Sequence, residues 1–145
     1  MSERRPITVG DIMSPNPVTL SPEDSLSGIE DDMAVMALHH LPVVDDGKLI
    51  GLVSQRDLLR AESSVLDPTS GAKNAMRRQG TFVYDVMTRE VVTVRAETPL
   101  AEAARLLRDH RFGCLPVVDD AGRLVGIVTE HDFLELLVTI LEREY

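Results

Sequence analysis

The six residues LPVVDD occur twice in this chain, at 41 to 46 and again at 115 to 120. The match runs well past them: residues 9 to 46 align with 83 to 120, and 48 to 59 with 123 to 134 after one inserted residue. Of these 50 aligned positions, 18 are identical. An internal repeat constrains the fold strongly, because a short unit that cannot close its own core uses its copy to do so. The 145 residues are therefore expected to form one module of two units packed face to face, their buried strand surfaces completing one core. Such a chain is long enough to bury about 70% of the surface its unfolded form exposes.

Each copy reads in the same order. VTL at 18 to 20 and VVTV at 91 to 94 are short β-branched stretches, predicted as first strands. Asp24 and Thr98 stand just before periodic apolar runs, with Pro99 after Thr98, and both are predicted to be N-caps. The runs carry Leu26, Ile29, Met33 and Met36 in one copy and Leu100, Ala103, Leu107 and His110 in the other, spaced as one buried helix face. LPVVDDGKLIGLVS and LPVVDDAGRLVGIVT then give two apolar runs about a DG or DAG turn, a hairpin signal. A second helix opens after Ser54 and after Thr129. The predicted class is α+β, each unit running strand, helix, strand, strand, helix, with a short turn of structure at VGDIM or VYDVM ahead of it. The first unit spans 7 to 60 and the second 83 to 141. Residues 61 to 82, rich in Ser, Gly and polar residues, read as a linker long enough to hold a helical turn around AKNAMRR or to cover a site.

Composition removes several classes of function. A formal charge of -9 opposes nucleic-acid binding, which needs clustered Lys and Arg to neutralise phosphates. No apolar run approaches the 18 or so residues of a membrane span, and residues 1 to 13 hold no apolar signal core, so the expected location is the cytoplasm. The one cysteine, Cys114, agrees with a reducing compartment.

The paired units, with LPVVD followed by a G-φ-φ-[ST]-x-x-D segment opening a helix, resemble the cystathionine β-synthase (CBS) domain. Two together resemble a CBS pair, or Bateman module, standing alone over about residues 7 to 141. The resemblance implies binding rather than catalysis, with AMP, ADP, ATP or S-adenosylmethionine held in clefts between the two units and no cofactor required. It makes Asp57 and Asp132 the ribose residues and places Ser54 and Thr129 against ribose or phosphate. His39, His40, Cys114, Val18, Thr19 and Thr93 would line the base or phosphate. His39 matches the place of a histidine that faces phosphate in some nucleotide-binding relatives, whereas Gly113 fills that place in the second copy. The two clefts are thus expected to differ, the one served by His39 suiting phosphorylated ligands better.

Physical chemistry gives these residues two readings. An ionised carboxylate accepts hydrogen bonds in two directions and suits a vicinal diol. A helix N-terminus favours a phosphate, but Asp57 and Asp132 in the same turn would repel it, so the phosphate would lie off to one side, within reach of Arg56 or His131. Yet Ser54-x-x-Asp57 and Thr129-x-x-Asp132 also have the spacing of an N-cap with an acidic N3 residue, and could be caps alone. His39 could equally end its helix, and Cys114 beside LPVV reads as a small buried hydrophobe. His39, His40 and Cys114 show no recognised metal spacing, so no metal is expected. The C-terminal run FLELLVTILEREY puts Phe133, Leu136, Leu137, Ile140 and Leu141 on one face, predicted to pack on the module or on a second subunit in a homodimer. The leading expectation is a regulatory adenosyl-ligand sensor that signals to an unknown protein partner. The alternative is an interaction or dimerisation module with empty clefts, and a small hydrolase is a distant third.

Overall fold

The computed structural model describes residues 7–35, 39–65 and 81–144. The expectations for Met36 and for most of the 61 to 82 linker, its covering role included, lie outside the described residues. In chain order the elements are α1 (Val9–Ile12), β1 (Ser14–Pro15), α2 (Ile29–Val35), β2 (His40–Asp45), β3 (Lys48–Ser54), α3 (Gln55–Val65), α4 (Val83–Val86), α5 (Leu100–His110), β4 (Cys114–Val118), β5 (Leu124–Thr129) and α6 (Glu130–Glu144). Each copy thus holds a helix, a hairpin and a second helix, as the α+β reading expects.

The hairpins form where the DG and DAG signals stand. β2 and β3 pair antiparallel from His40↔Ser54 to Asp45↔Lys48, with a bulge at Val43/Val44. β4 and β5 pair from Cys114↔Thr129 to Val118↔Leu124, with the bulge at the matching place, Val117/Val118. Asp46 and Gly47, both at positive φ, make the tight turn of the first hairpin.

The predicted first strands shrink to single parallel bridges, Leu20↔Val43 and Val94↔Val117. Proline explains why. The Leu20 N–H donates to Pro42 O and the Val44 N–H to Leu20 O, both at 2.9 Å. One step back along a parallel ladder, the Val18 carbonyl would need the N–H that Pro42 lacks, and one step forward Pro22 has no N–H to donate. In the second copy Pro116 likewise lacks the N–H that the Val92 carbonyl would need, although Ala96 keeps the one that Pro22 lacks. Asp24 and Thr98 are not N-caps either. The Asp24 carboxylate accepts the Ser21 N–H at 2.8 Å and Thr98 Oγ1 accepts the Arg95 N–H at 2.9 Å, so each closes the turn before it. α2 starts later, at Ile29, and the N-cap of α5 is Pro99. His110, predicted on the buried face, is exposed and stacks on Phe112 with ring centroids 5.2 Å apart.

The chain falls into two compact units whose composition crosses the repeats. One is Val18–Val91, and the other joins Val92–Tyr145 to the N-terminal segment ending at Pro17. Each unit therefore takes the short segment that precedes the opposite copy. In the first, Leu26, Ile29, Met33, Leu41, Val43, Val53 and Leu58 are buried together with Val83 and Met87 from the start of the second copy. In the second, Val94, Leu100, Ala103, Leu107, Leu115, Val117 and Val128 are buried with Val9 from the start of the first. The single shared core expected from the repeat is thus two clusters, each closed by residues of both copies.

The docking of these segments explains a glycine in each hairpin. A Cβ on Gly51 would lie 2.5 Å from Met87 Sδ and 3.0 Å from Thr88 O, and one on Gly126 would lie 2.6 Å from Met13 Sδ and 3.0 Å from Ser14 O. The segment backbone also bonds there. Thr88 and Leu52 exchange two N–H to carbonyl bonds of 2.9 Å, and β1 pairs with β5 through Ser14↔Ile127. A flexible methionine can yield, but the carbonyl behind it belongs to the ladder.

Two outcomes are expected. Gly51→Ala and Gly126→Ala should each lower stability by about 1 to 3 kcal/mol through overpacking, although Gly→Ala at an unstrained site ordinarily stabilises. A urea midpoint that stays put or rises would refute the packing argument. Cys114 is 4% exposed and burial pushes its thiol up to about 12, so very little thiolate exists at pH 8. Iodoacetamide should leave the native protein unlabelled at that pH and modify it in urea; rapid labelling of the native form would contradict this.

Candidate functional site

In each unit the end of the hairpin that carries the second helix gathers the candidate residues. In Val18–Val91, β3 ends at Ser54 and α3 begins at Gln55, which leaves Asp57 on its first turn. The Ser54 N–H and hydroxyl donate to Asp57 Oδ2 at 2.8 and 3.0 Å, and the Asp57 N–H donates back to Ser54 Oγ at 3.2 Å. This is a reciprocal cap, with side chain and backbone satisfying one another. Thr88 Oγ1 adds a further donor, 3.3 Å from Oδ1 and 3.5 Å from Oδ2. At 7% exposure Asp57 is a buried charge, tolerable because its oxygens are met by hydrogen-bond donors.

The other unit repeats the cap with less cover. The Thr129 N–H and hydroxyl donate to Asp132 Oδ2 at 2.8 and 3.2 Å, and the Asp132 N–H lies 3.4 Å from Thr129 Oγ1. Ser14 stands where Thr88 stands in the repeat alignment, but it makes no bond to Asp132. Asp132 is half-buried, and its Oδ1 has no protein donor among the described residues. The two carboxylates share a sequence pattern and differ in what remains free to accept.

Beside Asp57, His40 pairs with Ser54 across the hairpin, and the Gln55 N–H donates to His39 O at 3.2 Å. The exposed His39 ring brings Nδ1 to 3.2 Å from Gln55 Oε1. His39, His40, Ser54 and Asp57 therefore meet at one end of the hairpin. Cys114, Thr129 and Asp132 meet at the matching end of the other, where the Glu130 N–H donates to Gly113 O at 3.3 Å. Cys114 is buried and protonated, so its sulfur serves packing. The parallel bridges carry Val18 and Thr19 toward the His40 end of β2, and Thr93 toward the Cys114 end of β4; all three are exposed. Arg56 is exposed on α3. His131 lies along α6, its Nε2 3.0 Å from Glu135 Oε1.

Sequence reasoning missed Thr88. Its signal was a hydroxyl at the same alignment position in both copies, following DIM as Ser14 and DVM as Thr88. The described residues contain no group of three His, Cys, Asp or Glu placed to hold a metal ion. No helix among them is long and apolar enough to cross a membrane.

Comparison with known proteins returns the same architecture. The family model of the CBS domain matches twice, over residues 9–64 and 83–139. A CBS domain-containing protein of Dictyostelium discoideum is 35% identical over 137 residues, covering 94% of each chain. Inosine-5'-monophosphate dehydrogenases of archaea are also matched, but the chain spans only 21% to 23% of their length. The crystal structure of CBSX2 in complex with AMP superposes with a TM-score of 0.78 at 34% identity, over 92% of this chain and 97% of that one. The CBS domain pair of protein MJ0100, in complex with 5'-methylthioadenosine and S-adenosyl-L-methionine, superposes with a TM-score of 0.75 at 29% identity, over 93% and 98%. With the repeat, the hairpin ends and the two capped carboxylates all in register, this chain belongs to the CBS domain family and carries two copies of the domain in tandem.

Proposed function

We propose that the chain is a regulatory ligand-binding module with a binding rather than catalytic role, taking an adenosyl compound such as AMP, ADP, ATP or S-adenosylmethionine at Asp57 and Asp132. The observation that carries this reading is the open Oδ1 of Asp132 above a cap already complete through Oδ2. A ribose diol can donate to that oxygen without displacing a protein bond. The AMP held by CBSX2 and the adenosyl ligands held by the MJ0100 pair support the ligand class. His39, exposed beside Asp57, supports a preference of that site for phosphorylated ligands, whereas a diol there competes with the Thr88 hydroxyl. The single buried thiol fits a reducing, cytoplasmic setting. Ligand moves such a module only by binding one arrangement better than another, and the partner that reads the change is a separate protein.

One observation favours the second reading, an interaction module with unfilled sites: Asp57 is buried and already satisfied by Ser54 and Thr88. Dimerisation belongs to either reading. Leu134, Leu137, Val138 and Leu141 of α6 are 46% to 59% exposed, and we propose that this apolar face pairs with a second copy. Sedimentation should then give a dimer that Leu137→Glu converts to monomer, and a monomeric native chain would exclude the pairing.

Thermal unfolding against AMP, ADP, ATP and S-adenosylmethionine tests the sensor. Ligand at 100 times its Kd should stabilise by about 2.7 kcal/mol, raising Tm by several degrees. Asp132→Ala should abolish most of that shift at a cost of about 1 kcal/mol in the unliganded chain. Asp57→Ala should cost more without ligand, since it strands Ser54 and Thr88 together. Unshifted midpoints with every adenosyl compound would leave both residues as helix caps and select the interaction module.

A further inference from the structure

We propose that the Val18–Val91 unit carries a second recognition pocket, one that accepts a guanidinium group. It has a volume of about 320 Å³, within the range of small-ligand sites, and its walls are Pro22, Ile50, Phe82 and Tyr84. Three carboxylates, Glu23, Asp45 and Asp85, line the same space. None of the residues that gather around Asp57 takes part in it.

The internal repeat identifies the missing group. In the other unit, Glu97 and Asp120 occupy the places of Glu23 and Asp46, and Arg95 reaches both: Nη2 bonds Asp120 and lies 3.3 Å from Glu97. Asp119, in the place of Asp45, accepts the Ala121 and Arg123 N–H groups at 2.9 Å. The Val18–Val91 unit keeps these acids, Glu23 and Asp45 in the pocket wall and Asp46 next to them in sequence, and has Ser21 where Arg95 stands. The Glu23 and Asp45 carboxylates have no hydrogen-bond or ion-pair partner among the described residues, although Lys48 lies opposite Asp45 in the hairpin. Asp85 Oδ2 accepts only the Phe82 N–H, at 3.1 Å, among the described residues.

The walls differ in the same sense. Equivalent backbone bonds hold both places, the Tyr84 N–H to Pro22 O at 3.1 Å and the Gly10 N–H to Ala96 O at 2.8 Å. Gly10 closes against Ala96, where even a Cβ would come within 3.1 Å of the carbonyl. Tyr84 brings a side chain to the place where Gly10 has none. Its ring and that of Phe82, each about half exposed, stand as aromatic walls beside the unpaired acids. The Tyr84 ring already holds one guanidinium, that of Arg89, at 4.0 Å from its centroid, and Arg89 Nη2 is fixed on Tyr84 O at 3.2 Å. Planar, weakly hydrated guanidinium suits aromatic faces and carboxylates together, better than an ammonium or a hydrated metal ion does. The described acids also converge on no metal position.

The whole chain, labelled for amide NMR, would be titrated with agmatine, with the peptide acetyl-Gly-Arg-Gly-amide and with magnesium chloride. Saturable shifts at Ile50, Phe82 and Tyr84 with agmatine or the peptide, absent with magnesium, are expected, and the tighter of the two identifies a free or a protein-borne guanidinium. Glu23→Gln and Asp45→Asn should each weaken binding about tenfold, since each removes a charge-assisted bond. Ser21→Arg, which supplies the guanidinium from within as Arg95 does, should abolish it while the spectrum stays that of a folded chain. Non-saturable shifts, equal shifts with magnesium, or affinity unchanged by Ser21→Arg would each overturn the proposal.

Discussion

Everything in this fold depends on a methionine seated against a glycine, made twice. Met87 on Gly51 and Met13 on Gly126 fasten the segment that opens one copy onto the hairpin of the other. Each seat extends a sheet edge, closes a hydrophobic cluster and, in one unit, delivers the Thr88 hydroxyl to Asp57. The repeat is thus preserved in space by exchange. A half-chain holding only one copy would keep its hairpin and helices but lose the residues that cover them.

The carboxylates show how a structural device is open to recruitment. A hydroxyl and an acidic residue three positions later satisfy two backbone donors between them at a helix start, and this is enough to account for Asp57 and Asp132 as caps. The cap consumes mainly Oδ2; in one unit Thr88 of the exchanged segment donates to Oδ1, whereas in the other Ser14 at the same alignment position makes no bond to Asp132. Chemical difference between the two sites therefore arises outside the motif that defines them.

Much of this was legible in the sequence because it is local. The DG and DAG turns, the paired apolar runs of the hairpins and the hydroxyl-x-x-Asp spacing all act within a few residues, and each formed where it was read. The first strands failed for an equally local reason that went unread: the proline of LPVV removes the donor that a longer parallel ladder requires. Asp24 and Thr98 were placed as caps from their positions just before the apolar runs, yet their side chains turn back to the Ser21–Asp24 and Arg95–Thr98 turns. The exchange of segments, and with it Thr88, was hidden because alignment of two copies shows which residues correspond, not which copy they serve.

That exchange also orders the events of synthesis. Val18–Val91 is continuous and has all its parts once Val91 has emerged, so it can fold while the rest is still being made. The other unit is discontinuous: Val9 and Met13 leave the ribosome well before β4 and β5 and have nothing to dock on until those strands exist. This segment must wait until β5 has been made, and its closure, Ser14 onto Ile127, spans a long loop. Until it arrives, β5 presents an unpaired edge, and the nascent chain is at its most vulnerable to pairing with a neighbour.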